Sequence, residues 1–381
     1  VLFAISSLSS CKRDNTLLLL NWGEYINDDL VKEFEKEYNC IVKESITDSN
    51  ELFYSKLKSG TTVYDLVVPS DYMVKKMKEN DLIQKIDLTK LSNWSRDNFL
   101  PGLNGLIDYY KSDEVGFTDF DEYMIPYFWG TWGLMYNKRV PGVEEAVQTY
   151  GWDAYFDNVG MPKNARKGMY NVPRDAYAAS MFHHHLSPNL QGQEYLDIMK
   201  KDLTAAKFEQ WGTDDLKKQI QKGDLDVAFV WTGDFLDMYF SDIADGIKPS
   251  DIKYDIYIPE ETIAFSDNLV ITKKAIHLDL AYKFLDFFLR KESAKINASV
   301  VGYCTPLKSS YEEIKSYKDD PNASESDKAW GNTYDKYYPE YLYKEDGVTL
   351  AEKQFKGTPL TNFDKNYITK VSNIVNDVKV K

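Results

Sequence analysis

The sequence predicts an α/β protein of two lobes, each a mixed sheet flanked by helices, joined by crossing strands at a hinge. Three observations predict it. The chain has 381 residues, more than one hydrophobic core organises. Its N-terminal part alternates short apolar runs with helical periodicity in the order strand, helix, strand, helix, strand, the pattern of a doubly wound lobe. The apolar runs end in turns that mix aromatic and polar residues, at the edge where open α/β sheets take ligands.

Leu17 to Leu20 is the first strand and ends in Asn21-Trp22-Gly23-Glu24-Tyr25. Leu30, Val31, Phe34 and Tyr38 give the next segment a helical period, with Asn27 or Asp28 as cap and Asn39 as stop. Ile41 to Thr47 reads as a strand, Glu51 to Lys58 as a helix, and Val63 to Val68 as a buried strand closed by Pro69-Ser70-Asp71-Tyr72. After an extended piece at Tyr123 to Tyr127, glycines at 130 and 133 mark a change of direction, and the first crossing between lobes is placed there. Trp129 and Trp132 either line a cleft or fill the seam between the lobes, with the seam slightly favoured.

The second lobe begins with a weak helical pattern over Val143 to Ala165. Lys167 to Val172 reads as a strand that ends in a loop at Pro173-Arg174-Asp175, and a helix with His183-His184-His185 follows. Adjacent histidines on a helix point in different directions, so no metal site is expected. Asp214 to Gln221 is helical, and Asp226 to Val230 is a strand ending at Trp231-Thr232-Gly233-Asp234, where Asp234 reads as a helix cap. Asp255 to Ile258 is a strand, and Phe265 to Ile271 leads back to the first lobe. Ala281, Phe284, Leu285 and Phe288 mark an amphipathic helix. Gly302-Tyr303-Cys304-Thr305-Pro306 is a turn. Beyond Ser309 the chain is polar until a last helix with Ile368, Val371, Val375 and Val378 on one face.

Lys and Arg total 46 against 60 Asp and Glu, a net charge of −14, which argues against a nucleic-acid partner. Aromatic residues make up 14% of the chain, more than a core needs. Leu8-Ser9-Ser10-Cys11 resembles a bacterial lipobox after a short apolar stretch, so residues 1–15 read as signal remnant and linker, with Cys11 as the lipidated residue. Such a chain is anchored to a membrane and does not span it. Cys40 and Cys304 lack metal-ligand spacing and read as small apolar side chains, with a single disulfide between them as the alternative in an exported protein.

The candidate site residues are Trp22, Tyr25, Ser70, Tyr72, Asp175, Trp231, Phe265, Asp267 and Tyr303, all at strand ends or turns. Aromatic walls with aspartates suit an elongated organic cation. Each ammonium needs an acidic acceptor, because a buried unpaired charge is costly. Ring faces attract the cation and cover its methylenes. The carboxylates are expected to be permanent anions with unshifted pKa values. Two other readings stay open. A binder of an amino acid, a sugar or an iron chelate is one; an amino-acid binder would aim an Arg at the ligand, and Arg174 is the cation near the site. A carboxylate-dependent glycosidase is the other, although the sequence identifies no proton donor.

These motifs resemble the extracytoplasmic polyamine-binding proteins of bacterial ABC importers. The resemblance rests on Asn21-Trp22-Gly23-Glu24-Tyr25, Ser49-Asn50-Glu51, Tyr64-Asp65-Leu66-Val67-Val68-Pro69-Ser70, Ile83-Gln84-Lys85-Ile86-Asp87, Ile125-Pro126-Tyr127 with Trp129-Gly130, and Gly302-Tyr303 with Thr305-Pro306. It runs over about residues 17 to 307. It implies a type II periplasmic-binding-protein fold, with residues 16–132 and 268–308 in the first lobe and 133–267 and 309–381 in the second. It also implies a monomer outside the cytoplasm, anchored through Cys11, that takes spermidine or putrescine to a membrane permease without a cofactor or a chemical step. Carried over, Trp22, Tyr25, Ser70 and Tyr72 form the first wall and Trp231 stacks on the methylenes. Phe265 replaces a Trp, Asp267 binds the shared ammonium, Asp175 replaces a Glu, and Tyr303 covers the ligand. Val172 stands where the family has an Asp and Gly23 where it has a Thr, and a family Gln near the C-terminus has no counterpart. Asp71 or Asp234 is the expected substitute acceptor.

Overall fold

A computed structural model describes residues 15–337, 341–344, 347–350 and 356–380, so the expected anchor at Cys11 lies outside the described residues. The strands in chain order are β1 (Thr16–Asn21), β2 (Ile41–Ile46), β3 (Leu66–Val67), β4 (Ile125–Gly130) and β5 (Trp132–Asn137). They continue with β6 (Lys167–Tyr170), β7 (Gln210–Gly212), β8 (Val227–Trp231), β9 (Tyr254–Tyr257) and β10 (Glu261–Ile263), then β11 (Phe265–Ile271), β12 (Tyr341–Lys344), β13 (Gly347–Leu350) and β14 (Lys356–Thr358). They build two five-stranded sheets, in orders β2-β1-β3-β11-β4 and β7-β6-β8-β5-β9, and a four-stranded sheet β10-β14-β13-β12. The two-lobed α/β architecture is the one expected.

Local chemistry sets the first unit. Asn27 caps the helix Asp28–Tyr38 with its side-chain oxygen on the N–H groups of Asp29 and Leu30, an arrangement worth about 1 kcal/mol. Asn39 ends the helix in the left-handed region at φ 49°, a conformation asparagine tolerates. Leu30 and Phe34 form its buried stripe, and Phe34 meets Phe284 edge-on at 5.1 Å. β1 then pairs in parallel with β2 and β3.

The crossing is short. β4 ends at Gly130 and β5 begins at Trp132, so Thr131 alone carries the chain from one sheet to the other. The return crossing runs beside it, and the hydroxyls of Thr131 and Thr262 hydrogen-bond at 2.8 Å. Trp129 and Trp132 are fully buried in this seam; the Trp129 indole N–H donates to the Thr305 carbonyl at 2.9 Å.

Four details differ from the sequence reading. β11 belongs wholly to the first sheet, antiparallel to β3 and β4, so Phe265 to Asp267 sit on that sheet, not in the second lobe. The helix Pro173–His183 begins at the proline, so Asp175 lies in its first turn, not in a loop. The stretch 309–381 is not uniformly helical or loop, because β12 to β14 form a sheet with β10. The last helix, Lys365–Lys379, buries Tyr367, Val371 and Val375, with Ile368 and Val378 only flanking that stripe. Cys304 is buried, Cys40 is partly exposed, and both are free. Among the described residues no helix is long and apolar enough to cross a membrane.

Candidate functional site

Topology brings the polar-aromatic turns together. β1 and β3 are parallel, so Trp22 and Ser70, which follow them, share the carboxyl edge of the first sheet. β11 runs the other way, so its opening residues Phe265 to Asp267 reach the same edge. In the second sheet β6, β7 and β8 are parallel, and their ends deliver Asp175, Asp214, Trp231 and Asp234. The two edges face each other across one cavity of about 160 Å³.

On the first edge, β11 carries a bulge at Asp267 and Asn268, an irregularity that re-aims a side chain. Asp267 lies opposite Ser70 and its two oxygens are both occupied: Ser70 Oγ donates to Oδ1 and the Tyr25 hydroxyl to Oδ2, each at 2.6 Å. Ser70 stands at the N-cap of the helix Asp71–Glu79 yet makes no side-chain cap bond. Asn50 holds it instead, with contacts to its backbone N–H and its hydroxyl at 2.9 and 3.0 Å. Trp22 is fixed by a 2.7 Å bond from its indole N–H to the Val68 carbonyl and by an edge contact with Phe53.

On the second edge, Trp231 stands edge-on to Phe265 at 4.7 Å and to Trp132 at 5.5 Å. Asp214 accepts from the Tyr170 hydroxyl at 3.1 Å. Asp234 is not a cap: no side-chain cap bond starts its helix, Thr232–Ala244. Its Oδ1 accepts from the Tyr303 hydroxyl at 3.2 Å, and its buried Oδ2 has no hydrogen-bond partner. The Tyr303 ring also meets Tyr25 at 4.9 Å, so a tyrosine pair links Asp234 to Asp267.

All of Trp22, Tyr25, Ser70, Asp71, Tyr72, Asp175, Trp231, Phe265, Asp267 and Tyr303 line this cavity. Asp48, Asp214, Asp234, Tyr170, Val172 and Leu360 join them. Among the described lining residues there are six aspartates and no lysine, arginine or histidine. Arg174 does not line it. Its guanidinium turns to Asn189 Oδ1 and the Thr361 carbonyl and lies 4.0 Å over the Phe363 ring. Asp71 is engaged already, accepting from the N–H groups of Tyr72 and Ser266 at 2.7 and 3.1 Å. Leu360 puts an apolar group into the wall from the C-terminal region.

The expectation of unshifted carboxylates is wrong. Burial pushes Asp267 up to about 6, against the opposing Ser70 and Tyr25 hydrogen bonds. Burial likewise lifts Asp71 to about 7 and Asp175 to about 8, the latter aided by the charge of Glu51 and resisted by Arg174. Asp234 is raised by burial although the Lys217 ammonium resists it. Buried acids gathered on a wall that no basic side chain lines among the described residues each pay for ionisation, and the nearby Arg174 and Lys217 offset only part of that cost. At its rim the edges are bridged: Glu24 lies 3.7 Å from both Lys217 and Lys218, and Lys217 pairs with Asp237 at 2.8 Å.

Sequence reasoning missed Asp214, because the three-residue strand β7 before it was not recognised. The strand-end pattern Gly212-Thr213-Asp214 was the available signal. A second cluster also differs from expectation. His183 and His184 converge on Asp202, with His184 Nε2 at 2.9 Å and His183 Nδ1 at 3.4 Å from the same oxygen. Divergence holds only inside a helix, and His184 is the residue past its end.

The profile of the bacterial extracellular solute-binding protein family matches residues 29–325. The putrescine-binding periplasmic protein PotF of Escherichia coli is 28% identical over 303 residues, covering 76% of this chain and 78% of its own. The spermidine/putrescine-binding periplasmic protein of the same organism is 28% identical over 300 residues, covering 77% and 78%. A solved structure described as a putative spermidine/putrescine ABC transporter from Listeria monocytogenes has a TM-score of 0.73 at 27% identity, covering 96% of this chain and 99% of that one. The TpPotD lipoprotein of Treponema pallidum shares the fold, with a TM-score of 0.69 at 24% identity and coverage of 96% and 100%.

Proposed function

Because this chain belongs to the bacterial extracellular solute-binding protein family, we propose that it captures a linear polyamine, putrescine or spermidine, between its lobes and delivers it to the permease of an ABC importer. One observation carries this reading: the cavity gathers six aspartates among aromatic walls with no basic residue among the described ones. A ligand with two or three ammonium groups supplies positive charge that the described lining lacks. The names of the relatives point the same way.

The parts fit that ligand. Asp267, already held by Ser70 and Tyr25, receives one ammonium, and Asp234, with an oxygen that lacks a partner, receives another. Trp231, Phe265 and Tyr303 cover the methylenes between, each buried CH₂ adding about 0.8 kcal/mol. Cation–π attraction adds about 0.5–2 kcal/mol per ring in contact with charge. Ligand contacts to both edges favour the closed arrangement, which is how binding drives a hinge. The protein works outside the cytoplasm as a monomer, anchored through a lipid on Cys11, and makes or breaks no bond.

Arg174 faces away from the cavity, which weighs against an amino-acid ligand held by its carboxylate. The raised aspartates are the one feature a carboxylate-dependent glycosidase shares. Calorimetric titration with putrescine, cadaverine, spermidine and spermine tests the reading and gives the length preference. No heat with any of the four, or turnover of chromogenic glycosides, would overturn it.

A further inference from the structure

The second lobe carries a cluster with no part in the cavity. The helix Pro173–His183 ends at His183, and His184 follows at its cap with φ −99° and ψ 13°, so the two rings swing to the same side. Both face Asp202 on the helix Gln193–Ala206. One donor atom from each residue lies within 4.8 Å of the other two. A tetrahedral ion with bonds of about 2.0–2.1 Å separates its ligands by about 3.3 Å. The observed 3.4 Å from His183 Nδ1 and 2.9 Å from His184 Nε2 to Asp202 Oδ2 are close to that edge.

The surroundings match what a ligating imidazole needs. The far nitrogen of His183, Nε2, lies 3.2 Å from Asp157 Oδ2. A carboxylate on the other ring nitrogen fixes the tautomer with Nδ1 free to ligate, the usual outer partner of a metal-bound histidine. Phe156 stacks on the His183 ring at 4.9 Å and 18°, holding its plane. Ser180 Oγ donates to Asp202 at 2.6 Å and orients the carboxylate. Asp153 stands 3.5 Å from His183 Nε2, so three carboxylates surround the histidine pair. Among the described residues no lysine or arginine forms an ion pair with any of them. A helix C-terminus adds partial negative charge at the same point. His184 is 37% exposed, which gives an ion a way in and leaves room for water as a further ligand.

We propose that His183 Nδ1, His184 Nε2 and the Asp202 carboxylate form a binding site for a divalent transition metal, Zn²⁺ foremost, with Asp157 as the outer partner of His183. Two nitrogens and one carboxylate suit a borderline ion, not Ca²⁺ or Mg²⁺, which take oxygen. The ion ties the end of the helix Pro173–His183 to the helix Gln193–Ala206. The first turn of the former carries Asp175 to the cavity, at the opposite end of the helix from this site.

The test uses the chain stripped of metal with a chelator and titrated with Zn²⁺ by calorimetry and with Co²⁺ by visible absorption. One equivalent of Zn²⁺ is expected, with a Co²⁺ spectrum of low coordination number and a rise in melting temperature on Zn²⁺ addition. H184A lies on the surface and should fold, and it is expected to lose the spectrum and weaken Zn²⁺ binding by about 100-fold or more. D157N keeps all three ligands and is expected to weaken it by about 10-fold. Putrescine binding should be unchanged in H184A, so this proposal and the functional reading fail separately. No stoichiometric Zn²⁺ binding by the parent chain, or equal Zn²⁺ affinity in H184A, would show that the imidazoles merely hydrogen-bond to Asp202.

Discussion

Tyr25 and Asp267 meet at 2.6 Å although 242 residues separate them, and the phenol is one of two hydroxyls that hold this buried carboxylate. The contact joins the turn after the first strand to the strand that returns from the other lobe. It ties ligand chemistry to the fold itself. Hydrogen bonds to a charged group are worth about 1.5–3 kcal/mol. Y25F is therefore expected to lower putrescine affinity by roughly 10- to 100-fold and to move Asp267 further up. Calorimetry at neutral pH checks it, and unchanged affinity would remove Tyr25 from the site.

Stability of the ligand-free chain should fall as pH rises. Asp267, Asp71 and Asp175 keep protons up to about 6, 7 and 8 in the fold, whereas the ordinary value is 3.8. Between the ordinary value and these raised ones the folded state binds more protons than the unfolded state, so the slope is negative. Glu37 and Glu313, held down at about 2 by Arg290 and by Lys291 with Lys295, lose their contribution only on the acid side of that window. Melting temperature is expected to be several degrees higher near pH 5 than near pH 8, and D175N should flatten the profile. A profile rising with pH would contradict the assignment.

Ligand binding should release protons. A cation favours the ionised aspartates, so binding at about pH 6 must expel protons held there by Asp267 and Asp234, the two acids that meet the ammonium groups. Apparent affinity then falls by about tenfold per pH unit for each proton released as pH drops below the raised values. Titrations in buffers of different ionisation enthalpy would read the number directly. It should approach zero near pH 9, above the raised values.

Two glycines near the cavity should respond oppositely. A Cβ on Gly233 would stand 2.0 Å from the Tyr303 ring, so G233A must displace the ring that reaches Asp234. Overpacking of this kind costs about 1–3 kcal/mol, and putrescine affinity should drop with it. A Cβ on Gly23 meets only the Ile46 side chain, at 3.6 Å. G23T should therefore leave stability within about 0.5 kcal/mol. Thermal unfolding of the two variants separates these outcomes.

Lys217 is 4% exposed and neutralises Asp237 while its charge reaches Asp234. K217M leaves those acids without their cation, and because the Asp237 side chain is 32% exposed and partly solvated, the cost is expected to fall below the about 3–5 kcal/mol of a fully buried pair. Urea unfolding near pH 8 should show the loss, and near pH 5 a smaller one, because Asp234 is then protonated.

Features set by neighbours in the chain were legible. Asn27 and Asn39 bound their helix as read, since capping is local chemistry. The strand-end turns were legible too, and all ten expected residues fall on one cavity. What depends on distant partners was not. Asp234 looked like a cap because its partner Tyr303 lies 69 residues away. β14 has three residues and finds β10 across about a hundred positions, too short and too remote for any periodicity to announce. The raised aspartates follow from burial, which a string of letters does not contain.

Under the proposed function, the passage of the backbone through Thr131, with the return strand bound alongside through Thr262, bears on how the ligand would be released. A one-residue link leaves little slack between the two sheets, so each is expected to move as a unit. If the second half swings away as a unit, Asp175, Trp231 and Asp234 would leave the proposed ligand together, while Tyr25, Ser70 and Asp267 would stay around it. Departure is then a single abrupt step instead of a gradual peeling, and whatever pries the halves apart sets its timing.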